Sequence, residues 1–393
     1  MRKCCFILLL IVATTSCMHA FSQDSLFKQE RMKIGVFTPL YLDSAFDATL
    51  EYTYGNSFPK FINPGLEFFE GIEMAADSLS KLGLPVDIYV YDTRSLRSPV
   101  SKIISSAEFQ QLDLILGHVT ASEARQLAAS ALKLKVPFVN VNYPNDGGIT
   151  NNPYYIILNS TLNTQLHALY KFLQRKHALS DIYYLRTNSS SDERLLATFK
   201  DIEKRITGVP IKFNYVVIDA NNPDAQLGKI LDSNTNNVFV AGILNTETAS
   251  RLIESVNNYG SSYNTTIFGM PTWDNINVDR KHHEDLQVVY GTPFYINESD
   301  SLAKNIEEEF RDKYFSRPTD MVFRGYETLL RFGRLLQEHG SNIASVIGEK
   351  KFKVFTDFDI QPVLDPKTTT LEYFENRKIY FISKAAGDLR ELN

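Results

Sequence analysis

Gly65 to Asp92 reads GLEFFEGIEMAADSLSKLGLPVDIYVYD, and within this stretch the apolar period changes once. Phe68, Ile72, Ala75, Leu79 and Leu82 recur at helical spacing, Asn63-Pro64 stands just before the entry, and Gly83 supplies the stop. Then Val86, Ile88 and Val90 alternate with Asp87, Tyr89 and Tyr91, the period of a strand, with Asp92 at its carboxyl end. A helix with one apolar stripe must lie on a sheet. This unit is therefore the building block of an α/β fold.

The block recurs on both sides. IGVF (34–37) precedes it, and the helix expected over 99–110, LDLIL (112–116), the helix over 122–135 and VPFVNV (136–141) follow. The series then stops near Asn142. YYIIL, from Tyr154, begins it again through DIYYL, IKFNYVVI, NVFVAGIL and TTIFGM. Two consecutive α/β series predict two doubly wound lobes with a ligand cleft between them. The expected boundaries are a leader over 1–22, a first lobe over 31–143 and 286–346, and a second lobe over 144–285 and 347–393. The chain would then pass between lobes near Tyr143, near 286–290 and near 346–352, giving a hinge of three segments.

The leader has a basic start at Arg2 and Lys3, an apolar run from Phe6 to Ala13, and Ala20-Phe21-Ser22 as a cleavage pattern before Gln23. The apolar run is shorter than the roughly 20 residues a membrane anchor needs. The mature chain is expected to be exported to the periplasm or cell envelope with no transmembrane helix. An alternative makes Cys17 a lipid-modified first residue. All three cysteines lie in the leader, so the mature chain has neither disulfide nor thiol nucleophile. The net charge of −5 becomes more negative once Arg2 and Lys3 leave, and no basic stretch is left to follow a phosphate backbone. Nucleic acid is not expected as a partner.

In open α/β sheets, ligands lie beyond the carboxyl ends of strands. The loops there offer Tyr41, then His118, Thr120, Ala121 and Ser122, then Asn142, Tyr143 and Asn145. From the second series come Thr187, Asn188, Asn245, Glu247 and Trp273. Hydroxyls, amides, helix-start N–H groups and an aromatic ring suit a small polar solute. Several have a plain structural reading as well. Ser122 before Glu123 and Thr246 before Glu247 suit helix caps, Trp273 suits a core plug, and His118 suits a loop anchor.

The order of these pieces resembles the type I periplasmic binding proteins, in particular the branched-chain amino acid and amide-binding group of ABC transporter substrate-binding proteins. KIGVFTPL (33–40), GLEFFEGIEMAADSL (65–79), LILGHVTASEARQLA (114–128) and FRDKYFSRPTDMVFRGYETLLRFGRLL (310–336) carry the resemblance, with Tyr314, Pro318, Tyr326 and Glu327 at matching places in the last. It implies an amino acid, amide or peptide-like ligand. Held by position, that ligand would meet Thr120, Ala121 and Ser122, then Asn142, Tyr143, Pro144 and Asn145, and Thr187, Asn188 and Glu247 in the second lobe. It also implies an inner-membrane transporter or a sensor as partner. The loop after the fourth strand is bulkier than the family's Ser-Ala-Thr type, and the tail from Lys351 lacks the family's Gly-rich turn.

No dinucleotide, phosphate-loop, nucleophile-elbow or H-E-x-x-H motif is present, so neither enzyme activity, cofactor nor metal is expected. His282-His283-Glu284-Asp285 reads as a solvated turn. Three functions remain, in this order: a solute receptor that closes on its ligand, an envelope scaffold that has kept the fold and binds a protein or cell-wall partner, and last a doubly wound enzyme, since nothing in the loops pairs a nucleophile with a base.

Overall fold

The computed structural model describes residues 31–278, 286–297, 299–385 and 388–392; the leader with its cysteines and the turn at His282–Asp285 lie outside them. In chain order the main elements are β1 Met32–Thr38, α1 Asn63–Lys81, β2 Val86–Asp92, β3 Leu114–Gly117, α2 Ala121–Leu134, β4 Phe138–Asn140 and β5 Tyr155–Ile157. Then come α3 Leu162–Lys176, β6 Ile182–Arg186, α4 Ser190–Arg205, β7 Phe213–Val217, β8 Asn237–Ala241, α5 Thr246–Asn258, β9 Thr265–Phe268 and β10 Leu286–Thr292. The chain ends with α6 Ser301–Tyr314, α7 Asp320–His339 and β11 Ile360–Leu364, β12 Leu371–Asn376, β13 Tyr380–Ala385, β14 Asp388–Leu392.

Two seven-stranded sheets result, ordered β11-β12-β5-β4-β3-β1-β2 and β14-β13-β10-β9-β8-β6-β7. Each is parallel except at one edge, where β11 runs against β12, and β13 against both β10 and β14. Side-chain alternation gives the first sheet two apolar faces. Ile34, Val36, Leu114, Leu116, Val139 and Ile156 meet α1 and α7, while Phe37, Ile115, Phe138, Tyr155 and Ile157 meet α2. Phe68 and Ile72 are wholly buried on the first of these faces, as their helical stripe predicts.

Strand pairing differs from the expected division of the chain in three places. YYIIL does not open the second sheet: β5 pairs in parallel with β4, Phe138 opposite Tyr155, and belongs to the first. The segment at 286–290 does not return to the first lobe, because β10 pairs with β9 and β13 of the second sheet. The tail past 347 is divided, β11 and β12 joining the first sheet and β13 and β14 the second. An apolar run fits the interior of either sheet equally well, so periodicity could not assign it. The passages between lobes thus fall at 158–161, 292–300 and 376–380. The helix expected over 99–110 is also broken, into a short turn at Val100–Ile103 and another at Phe109–Gln111. Beyond the break, the Ser106 hydroxyl accepts the Phe109 N–H at 3.2 Å at the start of the second turn.

The first and third passages are bound together. The buried Asn376 amide donates to the Leu158 carbonyl at 3.2 Å and accepts from Asp359 and Lys378 N–H at 3.0 and 3.1 Å, while its own carbonyl accepts from Ser160 Oγ at 2.5 Å. Next to it Glu375, 1 % exposed, accepts the Thr161 N–H at 2.8 Å and pairs with Arg377 at 3.1 Å.

Helices α1 and α7 lie backbone to backbone through two glycines. A Cβ on Gly71 would stand 1.9 Å from the Val322 carbonyl oxygen, and one on Gly325 2.2 Å from that of Phe68. Helix propensity alone would favour Gly71→Ala by about 1 kcal/mol. Contact with backbone cannot be relieved by a rotamer, so we expect a net loss of about 2 kcal/mol, read from the urea midpoint at unchanged slope. A stabilised variant would mean the helices are not in this contact.

Candidate functional site

At the carboxyl ends of the first-lobe strands the chain fills its own anion-holding positions. Asp92, ending β2, accepts the N–H groups of Leu40, Tyr41, Leu42 and Arg94 at 2.8–3.2 Å. Glu123 accepts the Thr120 N–H at 2.7 Å to close a capping box at the start of α2, and pairs with Arg94, also at 2.7 Å. In the second lobe Asp192 accepts from the Thr187 N–H and hydroxyl at 3.1 and 2.6 Å. All three carboxylates are more than nine-tenths buried.

The sequence-predicted residues can now be placed. His118, Thr120, Ala121, Ser122 and Asn142 share one edge, where the Asn142 side-chain oxygen accepts the Val119 N–H at 2.7 Å. Tyr41 stands beside them in a left-handed conformation (φ 56°), its ring edge-on to Phe61 at 4.8 Å and 5.9 Å from the Arg94 guanidinium. Tyr143 is half-buried against the α2-side core, its N–H bonded to the Asn140 side chain at 3.0 Å, and Asn145 closes its own turn onto the Gly147 N–H at 3.1 Å. In the second lobe Thr187 is buried in its turn and Asn188 is exposed; Asn245 caps α5 through the Thr248 N–H at 2.8 Å, and Glu247 pairs with Arg251. Trp273 is not a cleft residue. It is wholly buried, its ring against Gly269 and its indole N–H on the Ile243 carbonyl at 2.9 Å, the core plug that its size favours.

Between the lobes opens a cavity of about 570 Å³, and none of those thirteen residues lines it. Its second-lobe wall carries Asp274 and Tyr290, its first-lobe wall Asp320, Arg324 and Glu327 of α7, and Phe294 to Asn297 of the second passage complete it. Arg324 pairs with Asp320 at 2.7 Å, lies over the Phe294 ring at 4.0 Å, and keeps a buried Nε with no partner. Across the cavity Lys384 spends its ammonium on the carbonyls of Trp273, Asp274 and Ile276 at 3.3, 2.5 and 2.9 Å, which fixes the Asp274 turn. Burial pushes the Asp274 carboxyl up, Arg324 opposes this, and Asp320 adds to it. His118 stands near the same charges. Burial first, and Arg324 second, push its imidazole down to about 4, so it is neutral at neutral pH with its Nδ1 unpartnered. Of the residues that line the cavity, Glu327, beside Tyr326, was singled out in the sequence. What it did not show was that α7 faces the cleft.

Residues 63–351 match the family profile described as periplasmic binding protein. The chain belongs to the periplasmic binding protein family. The match begins after the aromatic loop at 39–62. Comparison with curated proteins gives no match. Among solved structures the chain is similar to a branched chain amino acid ABC transporter periplasmic ligand-binding protein from Burkholderia xenovorans, with 16 % identity, 92 % of this chain and 95 % of that one covered, and a TM-score of 0.59. It is similar also to an ABC transporter substrate-binding protein from Desulfitobacterium hafniense in complex with Leu (14 %, 92 % and 100 %, 0.57) and to a solute binding protein from Rhodopseudomonas palustris in complex with 3,4-dihydroxybenzoic acid (14 %, 92 % and 96 %, 0.52). At these identities the likeness is one of fold. Among the described residues of this periplasmic binding protein, no helix is long and apolar enough to cross a membrane, and no group of three or more His, Cys, Asp or Glu could hold a metal ion.

Glu327 gives a pH signature. Burial raises its carboxyl to about 7, while the Thr356 N–H and hydroxyl, at 3.0 and 2.9 Å, pull the other way. From the ordinary value of 4.5 up to about 7 the unfolded chain releases this proton while the folded chain keeps it. Stability from this group is therefore complete below about 4.5 and is lost as pH rises to about 7. The urea-midpoint profile of wild type minus that of Glu327→Gln should fall across this window, the rise from His118 and the parallel fall from Glu70 cancelling in the difference. A flat difference profile there would contradict the assignment.

Proposed function

We propose that the mature chain is an exported solute-binding protein that closes its two lobes on a small polar ligand, an amino acid, amide or peptide-like molecule, for an ABC-type transporter or a sensor. The observation that carries this reading is the interlobe cavity, large enough for a metabolite and walled by charged and aromatic side chains from both lobes. The passages at 158–161, 292–300 and 376–380 leave each sheet whole as the lobes approach. The leader over 1–22 supports export to the periplasm, with an anchor through Cys17 as the other route. Among the described residues that line the cavity, none pairs a nucleophile with a base.

A thermal-shift and titration-calorimetry panel of amino acids, amides and short peptides tests this. One chemical class should raise Tm, and Arg324→Ala should weaken that class by about tenfold or more, as loss of a charged hydrogen bond does. A panel in which nothing binds, or a binder indifferent to Arg324→Ala, would contradict it.

One observation favours the scaffold reading. The loop at 39–62, outside the family match, exposes Phe46, Phe58 and Phe61 beside a ladder of edge-to-face rings through Tyr52 and Tyr54. Such a surface suits a protein or cell-wall partner.

A further inference from the structure

We infer that the loop at 39–62 is the contact face of a two-fold dimer, and that the same loop of a second copy of this chain covers it. The inference is independent of what the cleft holds.

The loop has a fixed shape before any partner arrives. Asp92 holds its start through the Leu40, Tyr41 and Leu42 N–H groups, and Asp43 accepts the Leu96 N–H at 2.8 Å and the Ser95 hydroxyl at 3.1 Å. Further along, Asp47 accepts the Thr49 N–H, the Thr49 hydroxyl and the Glu51 N–H at 2.7–3.0 Å. The Thr53 N–H donates to the Ala45 carbonyl at 2.9 Å, and the Tyr52 hydroxyl to the Ser57 carbonyl, also at 2.9 Å. Four edge-to-face contacts link Tyr41, Phe61, Tyr54, Tyr52 and Phe46. A partner therefore has little ordering left to impose.

What this frame holds out is apolar. Leu42, Phe46, Phe58 and Phe61 are each 40–50 % exposed, Leu50 is 80 % exposed, and Leu96, tied in by Asp43, is 88 % exposed. Leu50 stands at φ 65°, in the left-handed region that Gly or Asn would occupy with less strain, so the monomer gains neither backbone ease nor core burial from a leucine there. Together the six side chains present roughly 700 Å². That exceeds the ~300–600 Å² of the largest patch on a typical monomer and approaches the ~800 Å² that each partner of a stable complex buries. A two-fold axis sets such a patch against itself, so one surface supplies both halves.

Charge favours this occupant over the others. The loop's charged residues are Asp43, Asp47, Glu51 and Lys60, of which Asp43 is paired with Arg97 at 3.8 Å. Asp47 and Glu51 flank Leu50, whereas Lys60 lies between Phe58 and Phe61. Setting the Leu50 turn of one copy on the 58–61 turn of the other brings Lys60 to Glu51 twice. With three acids to one base, the loop is poorly suited to an anionic lipid surface. The second-sheet loops at 187–191 after β6 and 219–223 after β7 are polar, so closing the lobes gives the patch no apolar cover.

Sedimentation velocity of residues 23–393 without ligand tests this. A monomer–dimer equilibrium with a dissociation constant of about 10 µM or tighter is expected, and Leu50→Ser with Leu96→Ser should raise it at least about tenfold. Their urea midpoint, measured on dilute monomer, should be unchanged because both side chains are exposed there. Lys60→Glu and Glu51→Lys should each dissociate the dimer alone, since each homodimer then opposes like charges twice. An equimolar mixture of the two should restore it, with opposite charges at both contacts. Ligand titrations of these variants should match the unsubstituted chain, so failure of the dimer leaves the solute-binding reading standing. A chain that stays monomeric to about 100 µM overturns the inference, whether or not it binds phosphatidylglycerol vesicles or another protein. So does a dimer indifferent to Leu50→Ser with Leu96→Ser, or a charge-swapped mixture that stays monomeric.

Discussion

One buried amide holds the two-lobed design together. Asn376 ends the last parallel strand of the first sheet just where the chain leaves for the second, and its side chain and carbonyl reach Leu158, Ser160, Asp359 and Lys378 together. An amide wholly buried without partners would cost about 1–3 kcal/mol per unsatisfied group, so this network favours one register of the crossing segments over any slipped one. The first and third passages are thus bonded side by side at the crossing between the two sheets.

The cleft shows a different use of charge from the one its topology suggests. Strand ends in such a fold offer free N–H groups, yet here Asp92 takes those of Leu40, Tyr41, Leu42 and Arg94, Glu123 that of Thr120 and Asp192 that of Thr187. This rigidifies the loops, because each carboxylate ties together segments distant in sequence, as Asp92 does for Leu40 to Leu42. Asp320 and Arg324 of α7 and Asp274 of the turn after β9 line the cavity from opposite lobes.

How much of this was legible in the sequence depended on whether the signal was local. The switch from period 3.6 to period 2 between Gly65 and Asp92 gave α1 and β2 correctly, and Phe68 and Ile72 are core as their stripe requires. Sheet membership was not local: β5, β10 and the tail strands carry the same apolar runs whichever sheet they join, and long-range pairing decided it. The loop residues were found at strand ends, but their donors' partners, such as Glu123 for Thr120, are tertiary facts. Trp273 shows the same limit, since ring size suits a cleft wall and a core plug equally until Gly269 is seen beneath it.

Residues 23–393, which contain no cysteine, give the most direct measurement when spin labels are placed on Ser122→Cys and Asn245→Cys, one on each lobe. Pulsed electron resonance would report the interlobe distance distribution with and without a saturating ligand from the calorimetry panel. The account predicts a broad, longer distribution that narrows and shortens on binding. A distribution unchanged by a ligand that calorimetry shows to be bound would contradict closure of the lobes about the Asn376 crossing.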